Sequence, residues 1–189
     1  LLHDIGKLAI DPRILNKPAR LDDAEVALVR RHPELGVQLL ADGGVSAHAM
    51  AVVRSHHERL DGQGYPDRLR GLDIPHFARI AAVADVFSAV TTRRPYHDAV
   101  PPHQALRIIR AASGTHFDPE VVGVLGEVVA PYPPGSKLTL ADGRRAVVVR
   151  VPPEHLDRPV VRIVQDAEGD PVDPLEVDLG EQPALAPAA

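Results

Sequence analysis

Apolar residues recur at helical spacing through the first two thirds of the chain. Asp22 offers an N-cap in front of the first such run, and Pro33 either starts a second helix or kinks the first. Further helices are predicted over Ala47–His57, Phe77–Thr92, Pro101–Ala112 and Pro119–Val129. The pattern therefore predicts a mainly α fold, a helical bundle, for this part of the chain.

The last third of the chain changes to short segments rich in β-branched residues, separated by turn-forming Gly, Pro and Asp. The pattern predicts three or four antiparallel strands in a small β appendage at the C-terminus. The segments are Lys137–Leu140, Ala146–Val151, Val160–Gln165 and Leu175–Leu179.

Composition also changes near residue 130, where Pro131-Tyr132-Pro133-Pro134-Gly135 interrupts the helical pattern. Residues 1–130 carry 15 Lys+Arg against 16 Asp+Glu, and residues 131–189 carry 6 against 10. We therefore expect a helical domain over 1–130, a β-rich extension over 131–182 and a flexible tail over 183–189.

The overall composition excludes several kinds of protein. The 189 residues are 44% hydrophobic, enough for a core, and contain no cysteine, which excludes disulfides and thiolate ligands. A net charge of -5 and 3% aromatic residues argue against binding to a nucleic-acid polymer. No apolar run suits a membrane-spanning helix, and we expect a cytoplasmic protein.

Ten histidines are the outstanding feature, and nine of them precede residue 131. Several could join acidic residues in one bundle interior: His3, Asp4, His32, His56, His57 and Asp85. Asp85 lies within an apolar helix, where it could equally cap a neighbouring helix or pair with Arg79. Residue chemistry alone leaves a metal site and a structural role both open.

Imidazole and carboxylate ligands without sulfur suit iron, manganese, zinc or magnesium. These side chains are enough for two ions if one carboxylate bridges them, and paired ions stabilise the attacking and leaving oxygens of a phosphoryl substitution. Such a reaction also needs cations for the other phosphate oxygens, and Lys7, Arg93 and Arg94 are candidates.

A set of motifs between residues 3 and 119 resembles the HD-GYP domain, a branch of the HD phosphohydrolase superfamily. The string His56-His57-Glu58 followed by Asp61-Gly62-Gln63-Gly64-Tyr65-Pro66 is very specific. The other matching positions are His3-Asp4-Ile5-Gly6-Lys7, Pro12, Ile14-Leu15-Asn16-Lys17, Gly71, Ile74, Arg79-Ile80, Asp85, Arg94-Pro95-Tyr96 and Gly114-Thr115-His116-Phe117-Asp118-Pro119.

The resemblance implies a metal-dependent phosphodiesterase of bacterial second-messenger signalling that opens cyclic di-GMP to linear pGpG and, in some members, continues to GMP. It implies two or three divalent ions, typically iron or manganese. Its ligands fall on His3, Asp4, His32, His56, His57 and Asp85, with Asp4 as the bridging carboxylate. It also implies that Asp4 and Lys7 are catalytic, and that Lys7, Arg94 and the Gly64-Tyr65-Pro66 segment contact the substrate.

Three departures from the family pattern affect these expectations. The family has a preceding helix that supplies a further histidine and, in three-ion members, a glutamate; since this chain starts at Leu1, we expect a fragment of a longer protein. Ser88 stands where aspartate is usual, and His97 where lysine or arginine is common. Neither substitution removes one of the expected metal ligands.

Two other functions stay open on the sequence. One is a catalytically silent module that binds a cyclic dinucleotide or a partner protein, and the other is hydrolysis of a related cyclic dinucleotide. The resemblance also implies an upstream sensory or receiver domain in the parent chain and leaves a homodimer open.

Overall fold

The computed structural model describes residues 2–93 and 98–187. The chain divides into two compact units, of which one comprises Leu1–Ala89 and Ile109–Val122 and the other Val90–Ile108 and Gly123–Ala189. We describe each unit by itself. The candidate metal ligands all belong to the first unit, and the sheet belongs to the second.

Helices dominate the chain up to residue 128. A 3-10 helix, Leu2–Ala9, comes first, and shorter 3-10 turns follow at Gly71–Asp73 and Pro183–Leu185. The α-helices in the described part of the chain are α1 Pro12–Leu15, α2 Asp23–Val29, α3 His32–Leu40, α4 Ala47–Ser55, α5 His76–Thr91, α6 Pro102–Ala111 and α7 Pro119–Val128.

The start signals read from the sequence, Asp22 and Pro33, act as expected at two helices, and the structure adds a side-chain cap at a third. Asp22 caps α2 in a reciprocal box with Glu25, whose backbone N–H donates to the Asp22 carboxylate at 2.9 Å. Pro33 lies in the first turn of α3 and so begins a second helix. Ser46 caps α4 by accepting from the Ala49 N–H at 3.3 Å.

The 3-10 helix Leu2–Ala9 packs against α3 and α4 through a close backbone approach. Gly6 is buried there, and a Cβ added to it would overlap the His32 carbonyl and the Gly36 amide nitrogen. Since only glycine fits such an approach, Gly6 fixes the distance between the His3-Asp4 pair and the start of α3.

The second unit contains a four-stranded antiparallel sheet in the order β1-β2-β3-β4. The strands are β1 Lys137–Thr139, β2 Arg145–Arg150, β3 Val160–Gln165 and β4 Pro171–Asp178. Alternate residues of these strands, among them Ala146, Val148, Val161 and Ile163, form one buried apolar cluster. The four strands match the predicted segments to within a few residues, although β4 starts earlier than predicted.

The predicted fold class, a mainly α helical bundle with a small antiparallel β appendage at the C-terminus, is confirmed. Leu185 packs against the apolar cluster of the sheet, and Pro187 forms a bridge with Leu140. The flexibility expected for the tail stays a prediction.

In the described ranges, no helix has the length and apolar character needed to cross a bilayer.

Candidate metal centre

Two histidines at helix ends present the same ring nitrogen to one point. His32 begins α3, and its Nδ1 lies 2.7 Å from the Val29 carbonyl oxygen. His56 caps the end of α4, and its Nδ1 lies 3.0 Å from the Val52 carbonyl oxygen. Because a carbonyl oxygen only accepts, each Nδ1 carries a proton, and in the neutral ring Nε2 is then an acceptor.

The two Nε2 atoms meet at the Asp4 carboxylate. Asp4 Oδ1 lies 3.3 Å from His32 Nε2 and 3.8 Å from His56 Nε2. His57 follows His56 directly, and its ring centroid lies 4.1 Å from that of His56. Asp4, His32, His56 and His57 each offer one ligand atom, and these four atoms lie within 4.8 Å of one another.

His3 and Asp85 extend this group on one side. His3 Nε2 lies 3.5 Å from Asp4 Oδ2 and 3.5 Å from Asp85 Oδ1. Arg79, the alternative partner considered for Asp85, forms a buried ion pair with Asp118. The structure therefore brings all six predicted ligand residues together, and Asp85 faces the histidines.

Buried polar atoms without partners test whether this site suits a metal ion. Asp4 Oδ1 and His3 Nε2 are buried and accept or donate no hydrogen bond within the described structure. His32 Nε2 and His56 Nε2 lie 3.2 Å apart, and in the neutral rings both are acceptors. Several electron pairs therefore converge on a small volume, which is unfavourable unless a cation lies among them. The donor set fits a divalent transition-metal ion.

Burial and neighbouring charges keep the site in the protonation state that a metal requires. Burial lowers the pKa of His57 to about 3, with further lowering from His56 and His32. Burial also lowers the pKa of His32. Burial alone would raise the pKa of Asp4, but the interactions with His56 and Lys7 outweigh it and hold that pKa well below its usual range. His32 and His57 are therefore neutral and Asp4 is ionised at neutral pH.

Lys7 lies one helical turn from Asp4, and its Nζ donates to Asp4 Oδ2 at 2.6 Å. The ammonium group is partly exposed, so it adds a positive charge at the open side of the histidine group. This position suits contact with an anionic substrate. The expected phosphate contact of Lys7 stays a prediction.

The loop after His57 is braced by one buried carboxylate. Glu58 is 4% exposed and accepts the backbone N–H groups of Asp67 at 2.6 Å and Leu69 at 3.0 Å. Gly64 is buried against the backbone of residues 57–59, where a Cβ would not fit. The Tyr65 ring consequently stacks on His57, with centroids 4.8 Å apart.

Two features near this loop have no counterpart in the sequence-based set of site residues. The Arg30 guanidinium lies over the Tyr65 ring, 5.4 Å from its centroid, and Arg68 takes a backbone φ of 55°. The sequence carries one signal for the Arg30 contact, which is the position of Arg30 two residues before His32. Arg94 and His97 lie outside the described residues, so the expected role of Arg94 stays a prediction.

Comparison with known families matches both parts of the chain. A family model described as "HD domain" matches residues 1–121. A second model, described as "KOW domain associated with HD domain", matches residues 138–186, which contain the sheet.

Curated relatives match this chain over part of their own length. A cyclic di-GMP phosphodiesterase of Pseudomonas aeruginosa is 42% identical over 182 residues, which are 95% of this chain and 44% of that protein. A cyclic di-GMP phosphodiesterase response regulator of Xanthomonas campestris pv. campestris is 45% identical over 66% of this chain and 33% of its own length. A 3′3′-cGAMP-specific phosphodiesterase of Vibrio cholerae is 43% identical over 67% of this chain and 24% of its own length.

The chain thus spans less than half the length of these three relatives. The match to the HD-domain model covers well over half of the chain, and the His-Asp pair and the Gly-Tyr-Pro segment lie within it. The chain belongs to the HD-domain family and, within it, to the HD-GYP branch.

Proposed function

We propose that this chain is the catalytic part of a metal-dependent phosphodiesterase that hydrolyses cyclic di-GMP to linear pGpG, with further hydrolysis to GMP in some settings. The convergence of Asp4, His32 and His56 on one point, with unpartnered lone pairs, carries the proposal. Two relatives, the cyclic di-GMP phosphodiesterases of Pseudomonas aeruginosa and Xanthomonas campestris, suggest the substrate.

His3, Asp4, His32, His56, His57 and Asp85 would hold the metal, with Asp4 placed between the two sides of the group. We propose two or three divalent ions of iron or manganese, because the donors are imidazole and carboxylate groups. Divalent ions in such a site supply Lewis acidity at phosphorus and make a water molecule easier to deprotonate.

The remaining residues of the site bind and orient the substrate. Lys7 would neutralise a non-bridging phosphate oxygen, because its ammonium group lies at the exposed side of Asp4. Tyr65 is held against His57 by the tight turn at Gly64, and burial raises the pKa of Tyr65 to about 12, so its phenol stays protonated. The Gly64-Tyr65-Pro66 segment thus forms a rigid wall beside the histidines, and Arg94 is assigned to the substrate by family resemblance.

A separate observation supports a second candidate substrate. A relative that is 43% identical carries a name that specifies 3′3′-cGAMP, so hydrolysis of that cyclic dinucleotide is the alternative reaction. Both reactions break the same kind of phosphodiester bond, and the residues around the metal group do not distinguish them. The difference must come from contacts to the bases.

Further expectations about the whole protein stay proposals. The expected domains are a helical domain over 1–130, a β-rich extension over 131–182 and a flexible tail over 183–189. We also propose an upstream sensory or receiver domain and a cytoplasmic location. Whether the protein forms a homodimer stays open.

Turnover of cyclic di-GMP tests the proposed function. The chain loaded with Mn²⁺ is incubated with cyclic di-GMP, and products are separated by chromatography beside Asp4→Asn and the control Asp173→Asn, which changes an exposed carboxylate in β4. We expect pGpG from the chain and from the control but not from Asp4→Asn. Equal turnover by all three would remove the proposal, and tight binding of the nucleotide without turnover would show a silent receptor.

A further inference from the structure

A cavity of about 480 Å³ opens beside the Gly64-Tyr65-Pro66 segment. Two arginines, Arg30 and Arg68, and the polar residue Gln63 are among the residues that line it. Among residues 2–93 and 98–187, no carboxylate lies within ion-pair distance of either arginine. A guanidinium carries several N–H donors and no acceptor, so a ligand in this cavity can accept hydrogen bonds from these two side chains.

Arg30 is connected to the metal group through one aromatic ring. Its Cζ lies 5.4 Å from the Tyr65 ring centroid, and the Tyr65 ring stacks on His57 at 4.8 Å. A cation over an aromatic face is held by the ring quadrupole, while the N–H groups at its edge stay free to donate. Arg30 is therefore placed to bind one part of a ligand whose other part lies at the histidines.

Arg68 is held in a conformation that glycine would adopt without strain. Its φ of 55° lies in the left-handed region, which is unfavourable for a residue with a Cβ. The Glu58 carboxylate fixes this conformation, because it binds the backbone N–H groups on both sides, those of Asp67 and Leu69. The loop therefore holds the Arg68 backbone in one conformation beside the cavity.

We propose that this cavity binds one guanine base of the cyclic dinucleotide and that Arg30 and Arg68 donate to its O6 and N7 atoms. The proposal rests on the proposed function and adds to it the determinant of base selection. Guanine presents two acceptors on this edge, whereas adenine presents one acceptor and one donor, the N6 amino group. Adenine in this position would therefore leave guanidinium donors facing a donor.

Binding measurements on four proteins test the proposal. Calorimetric titrations of cyclic di-GMP and cyclic di-AMP are made with the chain, Arg30→Gln, Arg68→Gly and the control Arg31→Gln, all in EDTA to prevent hydrolysis. Arg31 is exposed, neighbours Arg30 in sequence and does not line the cavity. Urea unfolding of each protein accompanies the titrations.

We expect the first two variants to weaken cyclic di-GMP binding by about 5- to 150-fold and to leave cyclic di-AMP binding unchanged. Arg68→Gly should be no less stable to urea than the chain, because it relieves the strained conformation; its weaker binding would then have no origin in misfolding. Arg31→Gln should bind both nucleotides as the chain does.

Equal losses for the two nucleotides would indicate a phosphate contact and overturn the proposal, as would unchanged affinities or no binding of cyclic di-GMP. The proposed function has a separate readout, which is turnover with Mn²⁺. A chain that shows this base selection but no turnover keeps the guanine site and loses the enzymatic function. A chain that turns over cyclic di-GMP, with Arg30→Gln unaffected in both assays, loses the guanine site alone.

Discussion

The Nε2 atoms of His32 and His56 lie 3.2 Å apart, and in the neutral rings neither donates to the other. Each ring has its Nδ1 proton bound to a backbone carbonyl, so acceptor faces acceptor. The Asp4 carboxylate brings a further acceptor, Oδ1, to the same point. A divalent cation satisfies all three, and this arrangement is the strongest structural indication of a metal site in the molecule.

The close approach at Gly6 should be essential to this arrangement. Gly6→Ala places a methyl group against the His32 carbonyl and must push the 3-10 helix Leu2–Ala9 away from α3. We expect a loss of about 1–3 kcal/mol in the free energy of unfolding and weaker Mn²⁺ binding. Urea titration and metal titration measure the two effects.

Gly123→Ala is the matched control, because a Cβ at Gly123 in α7 meets no atom within 4 Å. It should stabilise the protein slightly, since alanine favours a helix by roughly 0.5–1 kcal/mol. Equal behaviour of the two variants would show that the approach at Gly6 is not tight.

The ion pair between Arg79 in α5 and Asp118 should contribute strongly to stability. Their side chains are 13% and 9% exposed, and Asp118 also accepts from the Glu120 N–H at the start of α7. Arg79→Ala leaves a nearly buried carboxylate without its partner, so we expect the free energy of unfolding to fall by about 3 kcal/mol. Denaturant unfolding monitored by circular dichroism measures this loss.

The exposed pair of Arg162 and Glu176, both 50% exposed, provides the comparison. Arg162→Ala should change stability by less than about 1 kcal/mol, because water screens that pair. Equally small losses for both variants would contradict the structural importance assigned to Arg79.

Stability of the metal-free chain should fall as the pH drops below the ordinary pKa of histidine. His57 has a pKa of about 3 in the folded chain and about 6.5 when unfolded, so between these values the unfolded chain binds more protons. The contribution is fully present above pH 6.5 and is lost on the way down to about pH 3, with a slope of up to about 1.4 kcal/mol per pH unit.

Urea unfolding in EDTA at several pH values, with His57→Gln beside the unchanged chain, measures this slope. The variant should show a shallower dependence, although His32, whose pKa is also lowered by burial, keeps part of it. Identical slopes would show that His57 is not buried in its neutral form.

Substitution of Lys7, which contacts Asp4, should separate substrate contact from metal binding. Lys7→Gln removes the cation at the exposed side of Asp4 but no metal ligand, so we expect normal Mn²⁺ content and a loss of about 10²- to 10³-fold in kcat. Lys137→Gln, at an exposed position in β1, should leave both unchanged. Loss of metal from Lys7→Gln would show that the lysine supports the site and does not contact substrate.

Local signals along the chain predicted most of the fold. The capping residue Asp22, and the β-branched segments after residue 136, act through neighbours in sequence and so can be recognised without a structure. The 3-10 helix Leu2–Ala9 was not predicted as an element, because the close contact of Gly6 with α3 is long-range and leaves no periodic pattern.

The site was predicted as a set of residue types, and the structure adds how they are oriented. The alternative pairing of Asp85 with Arg79 could not be excluded from sequence, since Arg79 contacts Asp118 across thirty-nine positions of chain. The cavity with Arg30 and Arg68 was missed for the same reason. In the sequence, Arg30 and Arg68 cannot be distinguished from other surface arginines. Only the folded loop places both on the cavity that Tyr65 also lines.

Metal content is the most direct test of the central claim, that four histidines and two aspartates bind divalent metal. The chain, Asp4→Asn and the control Asp173→Asn are exposed to Mn²⁺, passed through a desalting column and analysed by plasma mass spectrometry. We expect stoichiometric manganese in the chain and in Asp173→Asn, and at least a tenfold reduction in Asp4→Asn. Equal manganese in all three proteins, or none in the chain, would contradict the claim.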